Sequence, residues 1–292
     1  MVRLEAVPRF VLVRVAWAAV GRNFVSNANM DLGIKGESAL VVGASEGIGY
    51  ETAKALAEEG AEVFICSRDP AKIARAAGEL ERICGRKVQA FSADVTVAAD
   101  VEKLHEWIAR SVPHLDMLVS AVGGSRRALF EELDDDAWLE NYEFNVLGTV
   151  RVIRAMVPLL RNSQAGRIVV LGAAGARMPY PNQVVSNVHK VGLIALVKTL
   201  GAEFQKYNIR VNSVSPGRTL TSLWTSRAGD LARARGVTED EIVREFSAEI
   251  PMGRFGRPEE IAAMVVFLAS HKASYVNCQS ILVDGGIARG LI

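Results

Sequence analysis

Cysteine, histidine and net charge are all scarce in this chain. Its three cysteines, Cys66, Cys84 and Cys278, are odd in number and lack C-x-x-C spacing, which argues against a disulfide framework and a thiolate metal site. The histidines, His105, His114, His189 and His271, never fall at metal-ligand spacing, so no metal is expected. Reduced thiols point to a cytoplasmic setting. Lys and Arg number 34 against 33 Asp and Glu, a net charge of +1, so no electrostatic footprint for nucleic acid is present. The N-terminal apolar stretches Phe10–Val13 and Val15–Val20 are broken or flanked by Arg9, Arg14 and Arg22, and are too short and charged to span a bilayer. Residues 1–29 read as a loose extension; a membrane-surface or targeting segment is the other reading. What the chain has in quantity is apolar surface, 50% of 292 residues, enough for a large core and incompatible with disorder.

From Lys35 onward a short β-branched run, a turn and an amphipathic segment alternate. The runs are Ala39–Val42, Glu62–Cys66, Val88–Phe91, Met117–Ser120, Arg167–Leu171, Arg210–Val214 and Ile281–Val283. Between them lie helix-length segments such as Gly49–Glu59, with Ala53, Leu56 and Ala57 on one face. Strands alternating with helices predict a parallel sheet covered on both faces. No linker or fixed-period repeat divides the chain. Residues 30–292 are therefore expected to form a single doubly wound α/β domain of the Rossmann type, with a mainly parallel seven-stranded sheet.

The first strand runs into Gly43-Ala-Ser45-Glu-Gly47-Ile48-Gly49, a glycine-rich strand-to-helix turn. Such a turn lets a pyrophosphate approach the backbone, and the free N–H groups of the helix start attract its charge. A tight packing turn is the bland alternative. The second strand ends in Cys66-Ser67-Arg68-Asp69. In dinucleotide folds a carboxylate at this tip suits a free ribose 2′-hydroxyl, and an arginine suits a 2′-phosphate. Ser67 followed by Arg68 favours NADP(H) over NAD(H), while the charge of Glu46 argues the other way. Asp69, ahead of Pro70, also suits a helix cap.

With these motifs in order, residues 36–286 resemble the short-chain dehydrogenase/reductase family, closest to 3-oxoacyl-carrier-protein reductases. Gly43, Gly47 and Gly49 match its glycine loop, although Val42 stands where a threonine is usual. The resemblance implies adenine contact by Asp94, with Val95 beside it, and matches Asn145 to the helix asparagine of the catalytic tetrad. Ser120–Gly123 matches the segment below the cofactor only in part. Pro216, Gly217 and Thr221 match the turn and threonine that close over the nicotinamide end. Lys190 with Val191 and Gly192 matches the family lysine. The family's Ser…Tyr-x-x-x-Lys site fails here: counting back four from Lys190 gives Ser186, and 13 more gives Ala173. Both hydroxyl-bearing catalytic residues are replaced.

A serine hydroxyl is far less acidic than a phenol and shorter by a ring. Loss of a positioned acid costs about 10² to 10⁴ in rate. Candidate substitutes are a water held between Ser186 and Lys190, which share a helix face, or Tyr180 from the preceding loop. His189 is turned about 100° away from Lys190. Three classes stay open: an NADP(H)-dependent oxidoreductase acting on a small carbonyl or alcohol, a non-redox lyase or isomerase, and a non-catalytic nucleotide-binding protein. Leu220–Pro251, the substrate-covering segment in the family, combines Leu223, Trp224, Leu231 and Ile250 with Arg227, Arg233 and Arg235. That composition suits either an acidic or carrier-linked substrate or a solvated amphipathic helix. The apolar helix Val191–Val197 and the segment Ile261–Leu268 match the family's assembly surfaces, which implies a homotetramer.

Overall fold

Each apolar run becomes a strand: β1 (Ser38–Val42), β2 (Glu62–Ser67), β3 (Val88–Ser92), β4 (Met117–Ser120), β5 (Gly166–Leu171), β6 (Ile209–Pro216) and β7 (Ser280–Val283). The computed structural model describes residues 30–290, and the readings of residues 1–29 lie outside it. The strand order is β3-β2-β1-β4-β5-β6-β7. Every pairing is parallel, so the sheet is parallel throughout rather than mainly so. Among the described residues the helices are α1 (Gly47–Glu58), α2 (Pro70–Cys84), α3 (Ala98–Ser111), α4 (Asp135–Tyr142), α5 (Gly148–Leu160), α6 (Val184–Glu203), α7 (Ser222–Arg235), α8 (Glu239–Ala248) and α9 (Pro258–Ala269).

The period of two in a strand sorts side chains onto the two faces. Ala39 and Val41 of β1 join Leu56, Ile73, Leu80 and Val265 from α1, α2 and α9. Leu40 and Val42 join Leu104, Ile108, Met156, Leu193 and Val197 from α3, α5 and α6. Asp69 is a cap: its carboxylate accepts from the N–H groups of Ala71 (2.9 Å) and Lys72 (3.0 Å), with Pro70 opening α2. Val184–Tyr207, which includes α6, is long and apolar enough to cross a membrane by composition. Its Val185, Leu193 and Val197 are nonetheless fully buried, the pattern of a core helix, while Val188 and Val191 are exposed.

The amino ends of the strands are closed by buried polar networks. Arg167 of β5 is 1% exposed; its Nε donates to Ala269 O (2.8 Å) and its guanidinium pairs with Glu37, which also meets His271 Nε2 (2.8 Å). Asp116 accepts from Ser38 N (2.9 Å), Ser38 Oγ (3.1 Å) and Ser163 Oγ (2.6 Å). Arg210 of β6 is buried without a carboxylate and donates to the carbonyls of Leu268, Ser270, Ala273 and Val276 around the end of α9. Removing one member of a buried ion pair strands its partner. Glu37→Leu is therefore expected to lower stability in urea unfolding by about 3 kcal/mol, and adding Arg167→Met to recover most of that loss.

Candidate active site

The order of connections reverses between β1 and β4, and in open parallel sheets a crevice opens at the carboxyl ends of the strands at such a point. A cleft of about 790 Å³ lies there. Gly43, Ser45, Gly47, Ile48 and Gly49 line it from the loop after β1. Ser67 and Arg68 come from the end of β2, Asp94 and Val95 from beyond β3, Lys190 from α6, and Pro216, Gly217 and Thr221 from the end of β6. Every position singled out for cofactor contact thus borders one cavity.

The glycine loop folds tightly back on itself. A Cβ on Gly49 would lie 2.1 Å from Gly43 O, so only glycine fits where α1 leaves the loop. Among the described residues the first turn of α1 has no side-chain cap and no acidic residue, so no side chain answers its leading N–H groups and positive dipole end. Glu46 does not occupy that end; its carboxylate lies 3.6 Å from Lys72 Nζ. At the tip of β2, Ser67 Oγ is buried with no hydrogen-bond partner among the described residues, and the Arg68 guanidinium lies 5.8 Å from the centroid of the Phe144 ring. Asp94 is held by Thr96, whose N–H (2.9 Å) and hydroxyl (2.7 Å) both donate to its Oδ1.

Lys190 is buried, and burial pushes its ammonium down from 10.5 to about 8. Nζ donates to Leu171 O across 3.4 Å. It faces Gly123, whose φ of +150° and whose missing Cβ, 2.5 Å from Lys190 Nζ and 2.9 Å from Asn145 Oδ1, both require glycine. Asn145 does not line the cleft. It is fully buried behind the Gly123-Gly124 backbone, accepting from Gly124 N (3.1 Å) and donating through Nδ2 to Asn141 O (3.1 Å). A π-helical turn, Glu143–Leu147, places it: the chain bonds five residues back there, from Gly148 N to Glu143 O. The side chain of Asn145 takes the Asn141 carbonyl.

Ser186 lines the cleft and its Oγ accepts from Arg126 N at 3.0 Å, so its proton is left to point elsewhere. Ala173 borders the same cavity in extended backbone at the end of β5. Tyr180 also lines it; its hydroxyl is buried without a partner among the described residues, and burial raises its pKa above the ordinary 10. His189 faces α4 instead, with Nδ1 2.8 Å from Asn141 Oδ1 and its ring against Trp138 and Tyr142. Sequence reasoning did not single out Arg127, Gln183 or Arg218, which border the cleft beside Trp224 and Phe246. Arg218 follows Pro216-Gly217 directly, and Arg127 ends the short run Gly123-Gly-Ser-Arg-Arg127, the only local signals available.

Residues 43–288 match the family model described as enoyl-(acyl carrier protein) reductase. The 2,3-dihydro-2,3-dihydroxybenzoate dehydrogenase of Bacillus subtilis is 32% identical over 263 residues, spanning 89% of this chain and 98% of that relative. Among solved structures, L-sorbose reductase from Gluconobacter frateurii, complexed with NADPH and L-sorbose, has a TM-score of 0.87 at 33% identity, covering 90% of this chain and 100% of its own. An NADPH-bound short chain oxidoreductase from Pseudomonas aeruginosa PAO1 containing an atypical catalytic center has a TM-score of 0.81 at 30% identity, with coverages of 87% and 97%.

The buried lysine makes stability depend on pH with a definite sign. The unfolded chain holds a proton at residue 190 up to about 10.5 and the folded chain only to about 8, so stability rises as pH climbs through that window. Lys190→Met removes the titration. In urea unfolding without ligand the variant is expected to exceed the parent by about 3 kcal/mol at pH 7 and to lose that advantage by pH 10.5.

Proposed function

The chain belongs to the short-chain dehydrogenase/reductase family, and from that membership we propose that it is an NADPH-dependent oxidoreductase that interconverts a small-molecule carbonyl and alcohol through a non-standard proton path. The groups that the chain leaves unpaired fit a dinucleotide. The uncapped N-terminus of α1 suits a pyrophosphate, and the orphaned Ser67 hydroxyl beside the Arg68 fork suits a 2′-phosphate. Lys72 neutralises Glu46, the one charge in the loop that opposes a phosphate. Asp94 and Val95, which border the cleft, would meet the adenine, and Pro216, Gly217 and Thr221, which also border it, the nicotinamide end. When bound, the nicotinamide supplies or accepts the hydride.

The observation that carries the reading is Lys190, buried at the cleft with its ammonium brought to about 8. An acid serves best when its pKa lies near the working pH. Lys190 meets that condition, while burial moves Tyr180 away from it. Lys190 therefore holds the proton at Nζ, and Ser186 Oγ–H, one helical turn away, orients the substrate oxygen and passes the proton on. Asn145 fixes the Gly123-Gly124 backbone against Lys190 and acts as a positioning residue. Ala173 contributes no hydroxyl, which leaves one fewer oxyanion donor. The apolar Val188 and Val191, exposed on α6, support assembly as a homotetramer.

Calorimetry is expected to give tighter binding of NADPH than of NADH, with Arg68→Ala weakening NADPH selectively; equal affinities in the parent would refute the assignment. Carbonyl reduction needs Lys190 protonated, so kcat for reduction should fall as pH rises through about 8, and the reverse oxidation should gain. Lys190→Met should lower turnover by about 10² to 10⁴ and flatten that profile. An unchanged profile in the variant would sink the proton path. Ala173→Ser with Ser186→Tyr restores the family hydroxyls but places a ring where Arg126 N meets Ser186, so it should displace that loop and abolish turnover of the native substrate.

A further inference from the structure

The cleft carries more positive charge beside Trp224 than its own carboxylates neutralise. Arg127, Arg218 and Arg227 border it there with a single acid, Glu249. Arg218 takes that acid at 2.5 Å and donates to Phe246 O at 2.6 Å. Arg227 lies over the Trp224 ring with Cζ 4.4 Å from its centroid and 5.0 Å from that of Phe246, and Arg127 lies 5.6 Å from Trp224. Among the described residues neither Arg127 nor Arg227 has a carboxylate partner. The arginines that follow on α7 differ: Arg233 pairs with Asp230 and Arg235 with Glu245 at 2.9 Å, both exposed. Of the positive rim expected along this segment, Arg227 alone lines the cleft.

Crowding like charges in partial burial is costly: burial first, then neighbouring guanidiniums, Arg227 and Arg218 for Arg127 and Arg218 and Arg235 for Arg227, pull both down to about 10. An anion between them relieves that cost. Two further features aim the site. The Tyr180 hydroxyl is buried, borders the same cavity and has no partner among the described residues. Gln183, with its amide oxygen turned to Arg127 at 2.8 Å and its nitrogen to Ser125 Oγ at 2.6 Å, holds the Arg127 guanidinium and immediately precedes α6, the helix that carries Ser186.

We infer that Arg127 and Arg227, with the Tyr180 hydroxyl, form a carboxylate-binding site, and that the substrate is a carboxylic acid whose apolar body lies on Trp224 and Phe246 with its reacting carbonyl toward Ser186. The last clause rests on the oxidoreductase reading; the anion site does not. The uncapped start of α1 and Arg68 sit on the loops after β1 and β2, so the cofactor's phosphates and the substrate's carboxylate meet different arginines.

The test is calorimetry of the full chain, with and without NADPH, against 3-oxocyclohexanecarboxylate and its uncharged carboxamide. The acid should bind at least about tenfold more tightly, the range of a charge-assisted hydrogen bond, and Arg127→Gln and Arg227→Gln should each reduce that preference to about threefold or less. Arg227→Lys should retain part of it. Equal affinity of acid and amide, or no binding of the acid at millimolar concentration, overturns the site. NADPH absorbance read in parallel separates the two ideas: turnover of both probes without acid preference overturns the carboxylate site and leaves the oxidoreductase reading intact. Acid-selective binding lost in both arginine variants supports the site even where neither probe is turned over, an outcome that counts against the reductase reading alone.

Discussion

A parallel sheet with both faces buried can bring polar groups together only where its strands begin and end, and the two edges of this sheet are treated oppositely. At the amino edge, Arg167, Arg210 and Asp116 are each satisfied by several partners, so the strands start from a closed, hydrogen-bonded floor. At the carboxyl edge, satisfaction is withheld. Two of the three buried hydroxyls without partners among the described residues, those of Ser67 and Tyr180, border the cleft, as do the uncapped start of α1 and the sparsely bonded Lys190. Orphaned polar groups cost stability, and their gathering on one side of the sheet marks where a ligand supplies the missing partners.

Within that edge, the helix face and the loop opposite are mutually dependent. Lys190 and Asn145 both crowd Gly123, and Asn145 holds Gly124. Two residues further on, Arg126 N binds Ser186 Oγ, and the next side chain is the Arg127 guanidinium. One short loop therefore connects the buried lysine, the hydroxyl and the anion-binding end. Each of these side chains meets the backbone of that one loop, so a change in any of them bears on the others through it.

The strands were legible because their apolar runs stand alone: the seven runs read from the sequence differ from the observed strands by at most two residues at either end. The glycine loop was equally legible, since the clash of a Cβ on Gly49 with Gly43 O is a local matter of spacing. Lys190 and Ser186 were placed by the family resemblance, Lys190 by the Val191-Gly192 pair that follows it and Ser186 by counting four residues back within the family motif. Asn145 was found, but its retreat behind Gly123 depends on a π-turn that no periodicity announces. Arg127, Gln183 and Arg218 were invisible for another reason. They come from three segments far apart in sequence, and isolated arginines in loops read as solvated until long-range packing brings them beside Trp224.

The π-turn before α5 is one residue more than an α-helix would use. Excising a residue between Glu143 and Leu147 would let the helix close its ordinary bonds and become intrinsically more regular, yet would rotate everything beyond it by about 100° relative to α4. Asn145 would swing off Gly124, and the apolar face of α5, with Ile153 and Met156, would turn out of the core. The protein thus keeps a locally imperfect helix as a phase adjuster, whose extra residue lets one continuous segment serve both the hydrophobic face and the cleft. Insertions and deletions at that point are constrained by angle rather than by length.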